Sequence, residues 1–181
     1  MRLFIALNLS NDVKNQAKEI KNILKENSRQ GKFVNEDYMH ITIEFLGEIE
    51  EDKVDLIRNL MDEIEFKPFT LKLTKIGYFK RRDGNIFWIG MEKNDTLLTI
   101  HDSLHKRLKE KGFKIEDRDF NSHLTLGRRV KLKDGFDIDT LNSHVEKIEI
   151  HINSIDLMKS EFTDGKLRYS IIHSNKGKSI R

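Results

Sequence analysis

The chain carries one four-residue pattern twice, a histidine, an aliphatic residue, a threonine and a second aliphatic residue, at residues 40–43 (HITI) and 123–126 (HLTL). Side chains alternate between the two faces of a β-strand, so His and Thr share one face of each copy and the aliphatic residues share the other. One copy alone is equally well explained by a strand with a solvated face. Two matched copies favour a common site, and we expect the two strands to lie side by side. Two imidazoles in one site can both take up and deliver a proton without a metal ion, since the unperturbed pKa of histidine is about 6.5.

Other histidines offer weaker chemistry. His101 and His105 have the i, i+4 spacing of metal ligands on a helix, but Asp102 replaces the glutamate of the zinc-protease motif and no third ligand is indicated. We therefore expect a solvated helix face and no metal site. The remaining histidines have no partner pattern and are expected to be ordinary surface or half-buried residues: His144, His151 and His173.

The composition restricts the class of protein. A chain of 181 residues is long enough for one domain or for two small lobes that share a core. The net charge of +3 does not by itself indicate a nucleic-acid binder, although it does not oppose an anionic substrate. The absence of cysteine excludes disulfides and thiolate zinc sites. Neither a signal peptide nor a membrane-length apolar run is present, so the default expectation is a cytoplasmic protein with no membrane association.

Hydrophobic periodicity predicts the elements that would position the two motifs. Helices are predicted at residues 10–30, 51–64 and 97–112, with a short one ending near residue 145. Strands are predicted at residues 2–9, 39–46, 69–79, 86–91, 122–130, 148–158 and 167–173. Residues 32–38 are expected to be a polar link, residues 131–139 a charged loop, and residues 175–181 a frayed basic tail.

A helix precedes the motif strand in each half of the chain, and the strands are joined partly by hairpins. This order indicates an α+β fold with antiparallel sheets. We expect residues 1–181 to form a single domain of two pseudo-symmetric lobes, each an antiparallel sheet with helices packed on its outer face. The active-site cleft would lie between the lobes.

The doubled motif resembles that of the two-histidine (2H) phosphoesterase superfamily, and within it the RNA 2′,3′-cyclic phosphodiesterases, historically named 2′-5′ RNA ligases. The resemblance covers nearly the whole chain: RLFIAL at 2–7, HITIEFLGE at 40–48, residues 77–79 and 87–90, FNSHLTLGR at 120–128, Ser160 and Tyr169. The chain departs from the family at Phe33, where tryptophan is frequent, and at Asn35 and Ser122, where proline often precedes each motif.

The resemblance implies hydrolysis of RNA 2′,3′-cyclic phosphate ends to 2′-phosphates, accompanied by reversible 2′-5′ ligation, with no metal and no cofactor. It implies a monomer whose partner is an RNA end, for example that of a tRNA fragment. The residues themselves do not say which histidine is acid and which is base; the family implies His40 as general acid on the leaving 3′ oxygen and His123 as general base on water. The hydroxyls of Thr42 and Thr125 would donate to the non-bridging phosphate oxygens, where negative charge builds up.

Phe45 and Arg128 stand at equivalent positions, five residues after His40 and His123 respectively. They could clamp a base by stacking, or Arg128 could hold phosphate. Strict alternation would place both on the face opposite the histidines, so this requires the strands to bend or end near Gly47 and Gly127. A track for the RNA backbone is indicated by basic residues near the second motif and the hairpin tip: Lys80, Arg81, Arg82, Arg118, Arg128, Arg129 and Lys131.

Three alternatives remain open from the sequence. The enzyme could act on a small nucleotide or an ADP-ribose cyclic phosphate instead of an RNA end. The chain could be a non-catalytic protein that binds RNA ends in the same pocket. It could also be a metalloenzyme that uses His101 and His105.

Overall fold

The computed structural model describes residues 1–178 and consists of two antiparallel sheets and four α-helices. The strands are β1 Arg2–Asn8, β2 Ser28–Phe33, β3 His40–Glu48, β4 Phe69–Phe79, β5 Asn85–Met91, β6 His123–Leu132, β7 Glu149–Ile152, β8 Ser154–Thr163 and β9 Lys166–Lys176. The helices are α1 Asn11–Glu26, α2 Val54–Asp62, α3 Asp95–Glu110 and α4 Asn142–Val145, with 3₁₀ turns at Glu36–Tyr38, Glu51–Lys53 and Ile138–Leu141. None of the described helices is long and apolar enough to cross a bilayer.

The two sheets repeat one arrangement. The first sheet has the order β3-β1-β8-β9, and the second contains β6-β5-β4-β7 with β2 added at its edge. In each sheet the motif strand is antiparallel to an earlier strand of the chain, and a helix lies between the two in sequence. β3 pairs with β1, with α1 between them, and β6 pairs with β5, with α3 between them. The connecting helices pack crosswise, because α1 contacts β6 and α3 contacts β3. The predicted α+β fold with two pseudo-symmetric antiparallel halves is therefore confirmed, and one continuous hydrophobic core joins both sheets.

Helix α1 packs against β6, the second motif strand. The side chain of Ser10 caps the helix by accepting a hydrogen bond from the backbone N–H of Val13, as its residue type predicts. A buried stripe at helical spacing, which includes Ala17 and Ile20, anchors α1 in the core. The helix ends at Glu26 and not near residue 30 as predicted.

The predicted polar link at 32–38 is largely structured. Residues 28–33 form β2, an edge strand that pairs with β6 from Leu132 to Gly127. Four of its six residues are exposed, so the strand lacks the alternation of apolar residues that sequence patterns detect. The prediction of helix followed by link was wrong for this reason.

Three further boundaries differ from the predictions. Strand β6 extends through Leu132 into the predicted charged loop. The single strand predicted at 148–158 is two strands in different sheets, since β7 pairs with β4 and β8 pairs with β1. The tail predicted to fray from residue 175 remains in β9 to Lys176, and the amides of Gly177 and Lys178 donate to backbone carbonyls; residues 179–181 lie outside the described residues.

Candidate active site

The two motif strands meet at the junction of the two sheets. β3 is the edge strand of the first sheet and β6 lies inside the second, and the two strands are in contact. Within residues 1–178 they are not paired with each other, so the expectation of adjacent strands is correct for proximity and wrong for sheet pairing. His40, Thr42, His123 and Thr125 all line one cleft of about 740 Å³.

A β-bulge at the last residue of each motif brings further side chains into the cleft. Along β3 the pairing with β1 skips Ile43, and along β6 the pairing with β5 skips Leu126. An extra residue in one strand shifts its alternation by one position. Phe45 and Arg128 therefore return to the histidine face and line the cleft. The bend that the sequence required is present near both glycines. The β6 bulge adjoins Gly127, and a second irregularity in the pairing of β3 with β1 adjoins Gly47.

Both motif histidines are oriented in the same way. His40 Nδ1 lies 2.7 Å from the carbonyl oxygen of Tyr38, and His123 Nδ1 lies 2.7 Å from that of Asn121. A carbonyl oxygen only accepts, so Nδ1 must carry a proton and donate in both cases. Each Nε2 has no hydrogen-bond partner among the described residues and is left free for proton transfer.

The surroundings of the two imidazoles favour their neutral forms. Burial lowers the pKa of both His40 and His123 below the usual histidine value, and the nearby positive charge of Arg128 lowers both further. The hydrogen bonds to the two carbonyls oppose this shift only in part. Both rings are therefore neutral near pH 7 in the free protein.

Aromatic rings explain the burial of these two side chains. The ring centroid of His40 lies 4.9 Å from that of Phe4 and 5.5 Å from that of Tyr169. The centroid of His123 lies 5.6 Å from that of Phe79, in an edge-to-face arrangement. Each imidazole is thus packed between the sheet and an aromatic wall, which limits its rotation and leaves one edge towards the cleft.

Hydroxyl donors and the guanidinium of Arg128 line the cleft near the motif histidines. Thr42 and Thr125 are half-buried, and neither hydroxyl has a partner within the described part of the chain. Arg128 is exposed and forms no ion pair with any described residue. An anion bound between the histidines could therefore accept from both hydroxyls and the guanidinium together.

Phe45 is exposed at the rim of the cleft and does not belong to the core. Its side chain is 51% exposed, and the guanidinium of Arg118 lies 5.3 Å above its ring. Among the basic residues considered from the sequence, Arg81, Arg118 and Arg128 line the cleft. Four further basic residues do not line the cleft, namely Lys80, Arg82, Arg129 and Lys131.

Several residues of the site were not identified from the sequence. Tyr38 and Asn121 orient the histidines through backbone carbonyls, which leave no side-chain signature. Tyr169 reaches the cleft from β9, far along the chain from either motif. The one sequence signal for this orienting pair is its position, because Tyr38 and Asn121 each stand two residues before their histidine.

The prediction that His101 and His105 lie on a solvated helix face is wrong. His101 is only 8% exposed, and its ring stacks on Phe120 at a centroid distance of 4.2 Å. Both histidines face Glu44, the residue that follows the bulge in β3 and is itself 7% exposed. This cluster borders the cleft without containing the motif histidines.

Comparisons with known proteins agree with this architecture. The family model described as LigT like Phosphoesterase matches the chain twice, at residues 7–88 and 89–169. An RNA 2′,3′-cyclic phosphodiesterase of Thermotoga maritima is 30% identical over 94% of this chain and 100% of its own length. A protein of the same name from Archaeoglobus fulgidus is 33% identical over 95% of this chain and 92% of its own.

Solved structures share the fold. The crystal structure of E. coli LigT complexed with 3′-AMP superposes with a TM-score of 0.81 at 24% identity, covering 97% of both chains. The crystal structure of TT0787 of Thermus thermophilus gives a TM-score of 0.79 at 22% identity, again over 97% of both chains. The doubled family match corresponds to the repeated arrangement of the two sheets.

Proposed function

Because the chain belongs to the LigT-like phosphoesterase family, we propose that it hydrolyses the 2′,3′-cyclic phosphate at an RNA end to a 2′-phosphomonoester. The observation that carries the proposal is the pair of motif histidines, each held by a carbonyl at Nδ1 and each with a free Nε2 in the same cleft. Relatives that match nearly all of this chain are named for this activity.

Ring opening requires one proton to leave water and another to reach the departing ribose oxygen. In the direction of hydrolysis we assign His123 as the base that accepts the proton of water and His40 as the acid that protonates the 3′ oxygen. The proton taken by one imidazole replaces the proton given by the other, after exchange with solvent. In ligation, the reverse reaction, the same groups exchange roles.

Because the pKa values of both histidines are lowered, His40 must gain a proton before it can act as the acid, and the bound substrate promotes this step. A neutral imidazole serves as base at once, whereas the acid must first gain a proton. The negative charge of the cyclic phosphate, placed between the rings, offsets the positive charge of Arg128 and raises the pKa of the neighbouring imidazole. Substrate binding therefore prepares His40 for its role as acid.

The other cleft residues bind different parts of the substrate. Thr42 and Thr125 donate to the non-bridging oxygens, where the transition state is most negative. Arg128 neutralises the phosphate, and Phe45 offers its exposed ring to a base. Arg118, whose guanidinium already lies 5.3 Å from the Phe45 ring, adds positive charge beside that ring.

The size of the cleft supports an RNA end over a folded RNA. A volume of about 740 Å³ accommodates a terminal nucleotide and its neighbour. Arg81 and Arg118 extend the positive rim beyond the phosphate position, which favours an oligonucleotide over a mononucleotide. We further propose that the enzyme acts as a monomer in the cytoplasm, on ends such as those of tRNA fragments.

An RNA oligonucleotide with a 2′,3′-cyclic phosphate end, incubated with the full chain and a strong chelator, tests the proposal. We expect complete conversion to the 2′-phosphate, resolved from the 3′-phosphate by chromatography, with His151→Ala as a matched control on a surface histidine that contacts Thr70. A 3′-phosphate product, or activity abolished by the chelator while circular dichroism shows the chain still folded, would contradict the mechanism. Binding without turnover would indicate an RNA-end binder, and faster turnover of a cyclic mononucleotide would indicate a small-molecule enzyme.

The acid and base assignments have a separate test. A substrate with sulfur in place of the bridging 3′ oxygen has a leaving group that needs no protonation. We expect it to restore turnover in His40→Ala and not in His123→Ala. Rescue of His123→Ala instead would reverse the two assignments.

A further inference from the structure

A buried carboxylate faces two imidazoles beside the cleft, and the proposed hydrolysis uses none of the three. Glu44 Oε2 lies 2.7 Å from His105 Nδ1 and 3.7 Å from His101 Nε2. One ligand atom from each residue can be chosen so that all lie within 4.8 Å of one another. Glu44 and His101 are both less than a tenth exposed, and the charge of Glu44 is offset within the described residues by its hydrogen bond from His105.

The outward nitrogens of both rings are held by carboxylates. His101 Nδ1 lies 2.9 Å from Asp102 Oδ1, and His105 Nε2 lies 3.0 Å from Asp117 Oδ1. Histidines that bind metals usually donate their other N–H to a carboxylate, which fixes the tautomer and makes the free nitrogen a better ligand. Both rings have a carboxylate at the outward nitrogen. His101 Nε2 lies 3.7 Å from Glu44 Oε2 and is free of hydrogen bonds within the described residues, whereas His105 Nδ1 donates to Glu44, so a metal ion bound here would displace that proton.

We propose that Glu44, His101 and His105 bind a divalent transition-metal ion, and that Zn²⁺ fits this donor set. Two imidazoles and one carboxylate are a frequent zinc ligand set, and i, i+4 spacing presents both rings on one face of α3. Glu44 and His101 also line the cleft, so water from the cleft completes the coordination. The i, i+4 pair alone indicated little; the third ligand comes from β3, where the bulge turns Glu44 inward.

The ion would connect three parts of the cleft wall. Glu44 lies on β3, the two histidines lie on α3, and the segment 111–122 leads from α3 to the second motif. That segment is already attached to the cluster, because Asp117 contacts His105 and Phe120 stacks on His101. The ion therefore stabilises the folded wall and takes no part in proton transfer, which distinguishes this site from that of a metalloenzyme.

The test uses the full chain, stripped with a chelator and titrated with Zn²⁺ by calorimetry and with Co²⁺ by visible absorption. We expect one ion per chain, a tetrahedral Co²⁺ spectrum, and a melting temperature raised by Zn²⁺. His105→Ala and Glu44→Gln should abolish these effects, and Asp117→Asn should weaken binding by about tenfold or more. The His40→Ala/His123→Ala double variant should bind the ion as the wild type does, and so should the control His151→Ala.

Each other outcome would overturn the proposal. Absence of binding in the wild type, or equal binding in Glu44→Gln, would show that the cluster is an ion pair and not a metal site. An octahedral Co²⁺ spectrum would contradict the proposed tetrahedral zinc site. Loss of binding in the double variant would place the ion between the motif histidines. Glu44→Gln keeps the size of the side chain, so the test does not depend on whether His105→Ala folds. Hydrolysis by the stripped protein is measured separately, so failure of the metal site leaves the proposed function standing.

Discussion

Replacing Thr42 by valine isolates the hydroxyl that is proposed to stabilise the transition state. Valine keeps the β-branched shape that suits a strand and removes only the oxygen. The hydroxyl is half-buried and has no partner within residues 1–178, so its loss leaves no donor or acceptor of the protein unsatisfied. We therefore expect little change in the free energy of unfolding, and a change confined to catalysis.

The magnitude follows from the surroundings of Thr42. A single preorganised donor at a developing negative charge contributes about 10²–10³ in kcat, or about 2.7–4 kcal/mol. Thr125 and Arg128 line the same cleft and remain in the variant, so part of the charge is still stabilised. We expect Thr42→Val to lower kcat by about 10², near the lower end of that range, with KM changed much less.

Single-turnover hydrolysis of an RNA with a 2′,3′-cyclic phosphate end measures this effect free of product release. Thr42→Ser is the matched control, because it retains the hydroxyl and should retain most of the rate. A Thr42→Val enzyme with unchanged kcat and raised KM would mean that the hydroxyl binds ground state and transition state equally. Equal losses in the serine and valine variants would mean that the methyl group, and not the hydroxyl, matters.

Arg128 and Glu36 provide three other predictions. Burial and the charge of Arg128 lower the pKa of both His40 and His123. Arg128→Met should therefore raise both pKa values and move the acid limb of the kcat/KM profile to higher pH. An acid limb at the same pH in the variant would refute this. Arg128→Ala should raise KM more than it lowers kcat in steady-state assays, and an equal loss in kcat at constant KM would assign Arg128 to the transition state. Glu36 accepts hydrogen bonds from Lys18 and Lys21, which lower its pKa from 4.5 to about 2, so the stability it adds is complete above pH 4.5 and is lost as the pH falls towards 2. Glu36→Gln should cost about 1 kcal/mol in urea unfolding at pH 7, and a gap between variant and wild type that persists at pH 2 would contradict the assignment.

The sequence predicted the motif strands well because their information is local. Alternation in a strand depends on neighbouring residues, and the doubling of the motif made a shared site the better explanation. Phe45 and Arg128 were placed in the same site from their equivalent positions, five residues after each motif histidine, against the alternation of a regular strand. The bulges that bring them there are an irregularity of pairing with another strand, which a pattern within one strand does not contain.

Other features escaped because they depend on partners distant in the chain. β2 is an exposed, polar edge strand whose existence rests on its hydrogen bonds to β6. His105 resembled a surface residue until Glu44 was found opposite it. The orienting carbonyls of Tyr38 and Asn121 belong to the backbone, so any residue type could have supplied them.

The cooperation of the two motif histidines is tested most directly by a cycle of His40→Ala, His123→Ala and the double variant, compared by kcat on the same cyclic-phosphate RNA in the presence of a chelator. Groups that act together on one substrate lose most of the rate when either is removed. We expect each single variant to lose about 10²–10⁴ in kcat and the double variant to lose little more than the worse single variant. Full activity in either single variant, or losses that multiply as for independent sites, would contradict a mechanism in which both imidazoles act on one phosphate.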